Sequence, residues 1–258
     1  MRTRTCTPGF RDVHARFTLP TRRRHVPAIP FRAMQIEHAG QRGRSGSVRI
    51  TNPVRGALHG SAALVSPLAL PRLWDLDIGP PRRLAVTGYG IALVGLFTVS
   101  TLYHSVPWRP VWKRRWRRAD HSMISLFIAA AVTAVAVLVA SGTTLAVVLA
   151  LQWSVAGTTV ALKQTERRVR FWLSTTLQIV QGWSAALLLA PMAGTVSNRV
   201  LALFVISGAL YTAGAVALIT KRPGLWPGLF SYHEVFHVAV VIATAVQYHV
   251  LTGHLVAA

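Results

Sequence analysis

From residue 57 onward the sequence alternates long apolar runs with short joints that collect nearly all of the charge. Seven runs stand out, at roughly 57–74, 84–104, 119–140, 143–162, 171–190, 199–220 and 229–251. Most are close to the ~20 residues that carry an α-helix across a hydrocarbon core. A soluble domain of this size seldom repeats runs of that length. The pattern predicts an all-α membrane protein, a seven-transmembrane helical bundle over residues 56–258. The first run is the poorest. It holds Pro67, Pro71 and Arg72 and then meets Asp75 and Asp77, which predicts a helix that is short, kinked or interfacial. Between the third and fourth runs, Ser141-Gly142-Thr143 allows only a tight turn, making those helices antiparallel neighbours. No internal repeat is visible, and no joint is long enough to hold a soluble domain.

Charge adds orientation. The chain carries 28 Lys plus Arg against 7 Asp plus Glu, a net +21. Such a balance is compatible with nucleic acid, but its placement argues against that partner. Twelve of the basic residues precede residue 56, and most of the others lie between apolar runs, as in membrane proteins. Arg109, Lys113, Arg114, Arg115, Arg117 and Arg118 separate runs two and three. Lys163, Arg167, Arg168 and Arg170 mark the joint of four and five, and Lys221 and Arg222 that of six and seven. The alternate joints hold Arg72, Arg82 and Arg83, then no basic residue, then Arg199 at a helix end, and the C-terminal tail after residue 251 has none. The positive-inside rule therefore predicts a cytoplasmic N-terminus and an external C-terminus. If the first run did not span, only the N-terminus would change sides. Trp108, Trp112, Trp116, Trp172 and Trp226 fall at run ends, where indole rings favour the membrane interface.

Residues 1–55 read as a basic, disordered tail with Arg22-Arg23-Arg24 and scattered prolines, and without the apolar core of a secretory signal. A solvated tail is expected, with contact to anionic lipid and a start at Met34 as the alternatives. The single cysteine, Cys6, excludes an internal disulfide and argues against a thiolate metal site.

Polar side chains are costly within a membrane span and are therefore informative there. Run two ends Ser100-Thr-Leu-Tyr-His104, run three begins Asp120-His121, and run seven begins His233-Glu-Val-Phe-His237. The predicted orientation puts all three at cytoplasmic helix ends. Ser100 and His104 are four residues apart, as are His233 and His237, so each pair shares a helix face about 6 Å apart along the axis. Three neutral imidazoles, His104, His233 and His237, would leave a fourth tetrahedral position for water, the layout of a catalytic zinc site. Asp120, from a third helix, is placed to hold that water or take its proton. Each residue also has a plainer role. A lone histidine is usually interfacial, Ser100 can bond a carbonyl one turn back, and Asp120 can cap its helix. His59 and His121 have no evident partner and are expected to be structural. The string HEVFH also fits the H-E-x-x-H zinc-protease pattern with Glu234 as base. However, Val240 and Ala243 stand where its extended form needs Gly and a third His, and no acid follows His237.

These residues resemble hemolysin III proteins, bacterial relatives of the progestin and adiponectin receptors. The resemblance is carried by STLYHSVPW at 100–108, RADHSMI at 118–124, GW at 182–183, YTAGA at 211–215 and YHEVFH at 232–237. It implies seven helices with a cytoplasmic N-terminus, zinc on His104, His233 and His237, a zinc-bound water held by Asp120, and Ser100 beside it. The wider superfamily includes alkaline ceramidases, so the resemblance extends to hydrolysis of lipid amides, with Glu234 a weaker base than Asp120. One departure is Ala130-Ala131-Val132-Thr133-Ala134, which lacks the family's usual glycine, tyrosine and proline and is expected to straighten the third helix.

Two functions follow. In one, the protein is a membrane-embedded zinc hydrolase acting on a lipid amide with Asp120 as base. In the other, it is a regulator or lysis factor in contact with membrane lipids, and its metal is structural. The topology has a direct check. A periplasmic-type reporter fused after Ala258 is expected to be active only outside the cytoplasm, and cytoplasmic activity of the fusion would reverse the assignment.

Overall fold

The computed structural model describes residues 53–164, 171–226 and 230–255. The tail before Pro53, with Cys6, Arg22-Arg23-Arg24 and Met34, lies outside these residues, as do Arg167, Arg168, Arg170 and the side chain of Trp172. The helices are α1 (Pro53–Val65), α2 (Ala69–Trp74), α3 (Pro80–Ser105), α4 (Pro110–Val139) and α5 (Gly142–Gln164). They continue with α6 (Phe171–Trp183), α7 (Leu189–Ala193), α8 (Asn198–Thr220) and α9 (Tyr232–Val250). No strand occurs among the described residues, where the β structure is a bridge between Trp226 and Phe230.

Six helical stretches are long and apolar enough to cross a membrane: α3, α4, α5, Leu173–Ala193, α8 and Tyr232–Gly253. The first apolar run is not among them. It forms α1 and α2 with a 3-10 turn, Ser66–Leu68, between them. A proline lacks the N–H that would bond the carbonyl four residues back, and its ring crowds that carbonyl. For Pro71 that carbonyl belongs to Pro67, within the 3-10 turn. The same device recurs in the fifth run, where a 3-10 turn at Ser184–Leu188 lies four residues before Pro191. The first run is therefore a broken helix.

Two sequence-based boundaries need correcting. Arg55, placed in the tail, belongs to α1. Past Arg109, which precedes the helix, the basic residues between runs two and three are not a loop but the first turns of α4, a 30-residue helix entered at Pro110. Proline suits the first helical position, and Lys, Arg and Trp do not oppose helix. Their charge keeps these turns out of hydrocarbon without ending the helix. Ala130–Ala134 lies in the uninterrupted body of α4. Between α4 and α5 the chain reverses over Ala140 and Ser141, with Gly142 at φ +55°, a left-handed conformation that glycine adopts without strain.

α4 packs on α3 and α5, α9 on α8, and α1 between α3 and α9. α6 bridges α4 and α8. Much of the apolar core gathers where α2, α3, α4, α8 and α9 share one end of the bundle, around Leu73, Val86, Tyr89, Val135, Val200 and Val250. The opposite helix ends carry the polar side chains.

α8 and α9 approach closely at Gly214. A Cβ there would stand 3.0 Å from the Ala239 Cβ and 3.5 Å from the Phe236 carbonyl oxygen. Small residues at such crossings let helix backbones meet in a bilayer, where packing rather than hydrophobicity joins helices. Gly214→Leu is expected to destabilise the purified protein by about 1–3 kcal/mol through overpacking. This would be read as a lower unfolding midpoint in detergent, and an unchanged midpoint would refute the close crossing.

Candidate metal centre

The site is built at the helix ends opposite that core. His104 ends α3, His233 and His237 lie in the first two turns of α9, and Ser100 is one turn before His104. His104, His237 and Ser100 are buried, at 4%, 2% and 2% exposure. Ring centroids are 5.1 Å apart for His104–His237, 5.4 Å for His104–His233 and 4.9 Å for His233–His237. One ring nitrogen from each lies within 4.8 Å of the others. The i, i+4 spacing thus places the two α9 imidazoles as the sequence predicted, and α3 supplies the third.

The donor set suits a metal ion of zinc's kind. Neutral imidazole nitrogens are preferred ligands of zinc and its neighbours in the transition series. His237 Nε2 is buried with no hydrogen-bond partner among the described residues. An orphaned buried nitrogen is costly unless something binds it.

Asp120 lies ten residues into α4 and lines the same cavity as the three histidines. Its carboxylate has the Ser100 hydroxyl of α3 as hydrogen-bond partner. The carboxylate is not one of the three clustered donors. His121, expected to be without a partner, also lines this cavity: its Nδ1 is 2.7 Å from the Arg117 carbonyl oxygen one turn back and 3.6 Å from the Asp120 carboxylate.

Glu234 is turned away from this work. One carboxylate oxygen accepts from the Ser231 backbone N–H at 2.7 Å and from the Ser231 hydroxyl at 2.6 Å. The other oxygen meets Arg55 Nε at 2.5 Å. Ser231 and Glu234 form a capping box at the start of α9. The H-E-x-x-H pattern at 233–237 therefore overlaps an S-x-x-E capping signature at 231–234 that is legible in the sequence.

His59 is the other missed residue. Expected to be structural and unpartnered, it lies instead in α1 with Nε2 2.7 Å from His237 Nδ1, and both rings are buried. Arg55 and His59 share a face of α1 by i, i+4 spacing, and Glu234 and His237 share one of α9 by i, i+3. The two contacts advance together along both chains, so α1 and α9 run parallel with these faces opposed. Both shared faces were readable from spacing, but not that they oppose one another.

From the histidines a cavity of about 530 Å³ extends into the bundle. Its wall is largely apolar, with Leu96, Ile128, Val132 and Phe204, and it reaches Tyr211 and Gln247, whose side chains bond at 3.1 Å. Two of the sequence motifs shape it: Trp183 Nε1 donates to the Thr212 hydroxyl at 2.9 Å, joining GW on α6 to YTAGA on α8.

The family described as Haemolysin-III related matches residues 48–248. Hemolysin-3 of Bacillus cereus is 27% identical over 196 residues, which cover 74% of this chain and 85% of that protein. The Hemolysin-3 homolog of Bacillus subtilis (strain 168) is 26% identical over 175 residues, covering 68% and 76% respectively. No solved structure matches the chain.

The cap and the ion pair of Glu234 can be separated. Glu234→Gln preserves a residue type that serves in capping boxes, whereas Glu234→Ala removes both the cap and the ion pair. Alanine is expected to cost about 1–2 kcal/mol of stability and glutamine clearly less, measured by denaturation in detergent. Equal losses would show that the contact to Arg55, not the cap, is the stabilising element.

Proposed function

The chain belongs to the Haemolysin-III related family and is a multi-pass membrane protein, and from that premise we propose that it is a zinc-dependent hydrolase of a lipid amide. The observation that carries this reading is the trio of imidazoles from two helices, with the buried, unpartnered His237 Nε2 among them. His104, His233 and His237 would hold the ion through three ring nitrogens. Zinc held there supplies Lewis acidity, lowering the pKa of water and polarising a carbonyl.

The remaining steps fall to the chain. Asp120 is the base: its carboxylate takes the proton of the attacking water and returns it to the leaving amine. Ser100 donates to that carboxylate and orients it. The apolar cavity takes the acyl chain, which suits a lipid better than a soluble peptide. Glu234 is committed to the cap of α9 and takes no proton.

We also propose that the broken first run counts as the seventh pass, with the N-terminus cytoplasmic and the C-terminus outside. The joint charges and the parallel course of α1 and α9 support this topology. The alternative, a regulator or lysis factor with a structural metal, draws on the names of the relatives but on no feature of the site.

The test is zinc stoichiometry and lipid-amide turnover across point variants. His104→Ala, His233→Ala and His237→Ala are each expected to lose most of the bound zinc. Asp120→Asn keeps its size but cannot take a proton, so it is expected to retain zinc when metal is plentiful and to lose turnover. Glu234→Gln is expected to keep both. Wild-type protein that binds no zinc would overturn the metal centre. Turnover abolished by Glu234→Gln but not by Asp120→Asn would transfer the base to Glu234.

A further inference from the structure

We propose that His59 is a positioning residue for the metal centre, accepting the Nδ1 proton of His237 and so fixing which ring nitrogen of His237 faces the metal. The inference rests on the reading of the histidine trio as a metal site. His59 Nε2 and His237 Nδ1 are 2.7 Å apart, and the rings meet nearly edge-on, at 77° with centroids 4.0 Å apart. Both side chains are buried, at 3% and 2% exposure, so no bulk water competes for the contact.

Two neutral imidazoles can share one proton across this contact in two ways. If His59 donates, His237 must carry its own proton on Nε2, which then has no lone pair for a metal. If His237 donates, its Nε2 lone pair is free on the side of His104 and His233. His59 is then protonated at Nδ1. Only the second arrangement makes His237 a ligand. The first would leave two buried polar atoms without partners, His237 Nε2–H and His59 Nδ1. With a metal on His237 Nε2, the second leaves one.

Histidine ligands nearly always donate their other ring N–H to an acceptor, which fixes the tautomer and the ring orientation. In this centre the acceptor is an uncharged imidazole rather than a carboxylate. It comes from α1, which lies between α3 and α9. Two features hold it in place: the Phe97 ring of α3, edge-on at 5.2 Å, and the Arg55–Glu234 ion pair one turn earlier on α1.

The experiment uses the full chain in detergent with zinc as the probe. His59→Phe keeps an aromatic ring against Phe97 but removes the acceptor, whereas His59→Gln restores an acceptor oxygen. Zinc affinity, measured by competition with a chelator, is expected to weaken about 10–100-fold in the Phe variant and to recover most of that loss in the Gln variant. A Phe variant that binds zinc like wild type would overturn the proposal. So would a Gln variant as weak as Phe, because a purely steric role would then suffice.

Nitrogen-15 spectra of histidine-labelled, metal-free protein give a readout independent of zinc. Wild-type His237 is expected to be protonated at Nδ1 and to shift toward the Nε2–H form in the Phe variant. Wild-type His237 protonated at Nε2 would overturn the proposal even if zinc binds. Wild type that shows the Nδ1 proton but binds no zinc would overturn the metal reading and leave the orienting contact of His59 standing.

Discussion

Burying imidazoles in an apolar bundle is costly unless every nitrogen has a partner, and this constraint organises one whole end of the protein. α1 contributes an arginine and a histidine on one face, and α9 answers with a glutamate and a histidine on its own. The ion pair sets the register of the two helices, and the hydrogen bond one turn further in sets the orientation of His237. α3 then brings His104 to the same depth, and α4 adds a carboxylate held by a serine of α3. Four helices from distant parts of the chain are thus fastened where the polar groups lie. At the other end a largely apolar core suffices.

Much of this was legible because membrane sequences separate their signals. Apolar runs gave the helices, and i, i+4 spacing gave the pairing of His233 with His237 and of Ser100 with His104. The tight turn at Gly142 was written in three residues. His59 was not legible, because its meaning depends on a residue 178 positions away. Nothing local separates a histidine that orients a ligand from one that merely packs. Glu234 failed differently. Its signal was present, but the capping box at 231–234 and the H-E-x-x-H pattern at 233–237 overlap at His233 and Glu234, and the bonds to Ser231 and Arg55 show the cap.

The helix ends were misjudged for a related reason. Charge reports where a helix leaves hydrocarbon, not where its backbone stops. In α4 the two differ by several turns, because Arg, Lys and Trp sustain helix while being excluded from lipid tails. In the first run the opposite occurs: apolar composition continues, but the prolines break the regular hydrogen bonding.

The length of α4 also fixes a depth. Counted back from Val139 at 1.5 Å per residue, Asp120 lies about 29 Å along the axis, close to the ~30 Å of a hydrocarbon core. A helix upright in the bilayer with its far end at one boundary therefore carries this carboxylate to the other. That is the level at which an acyl tail gives way to its headgroup. On the proposed function, a lipid substrate resting in its own leaflet would present its first polar linkage at this height and would reach the histidines by lateral movement rather than extraction from the membrane.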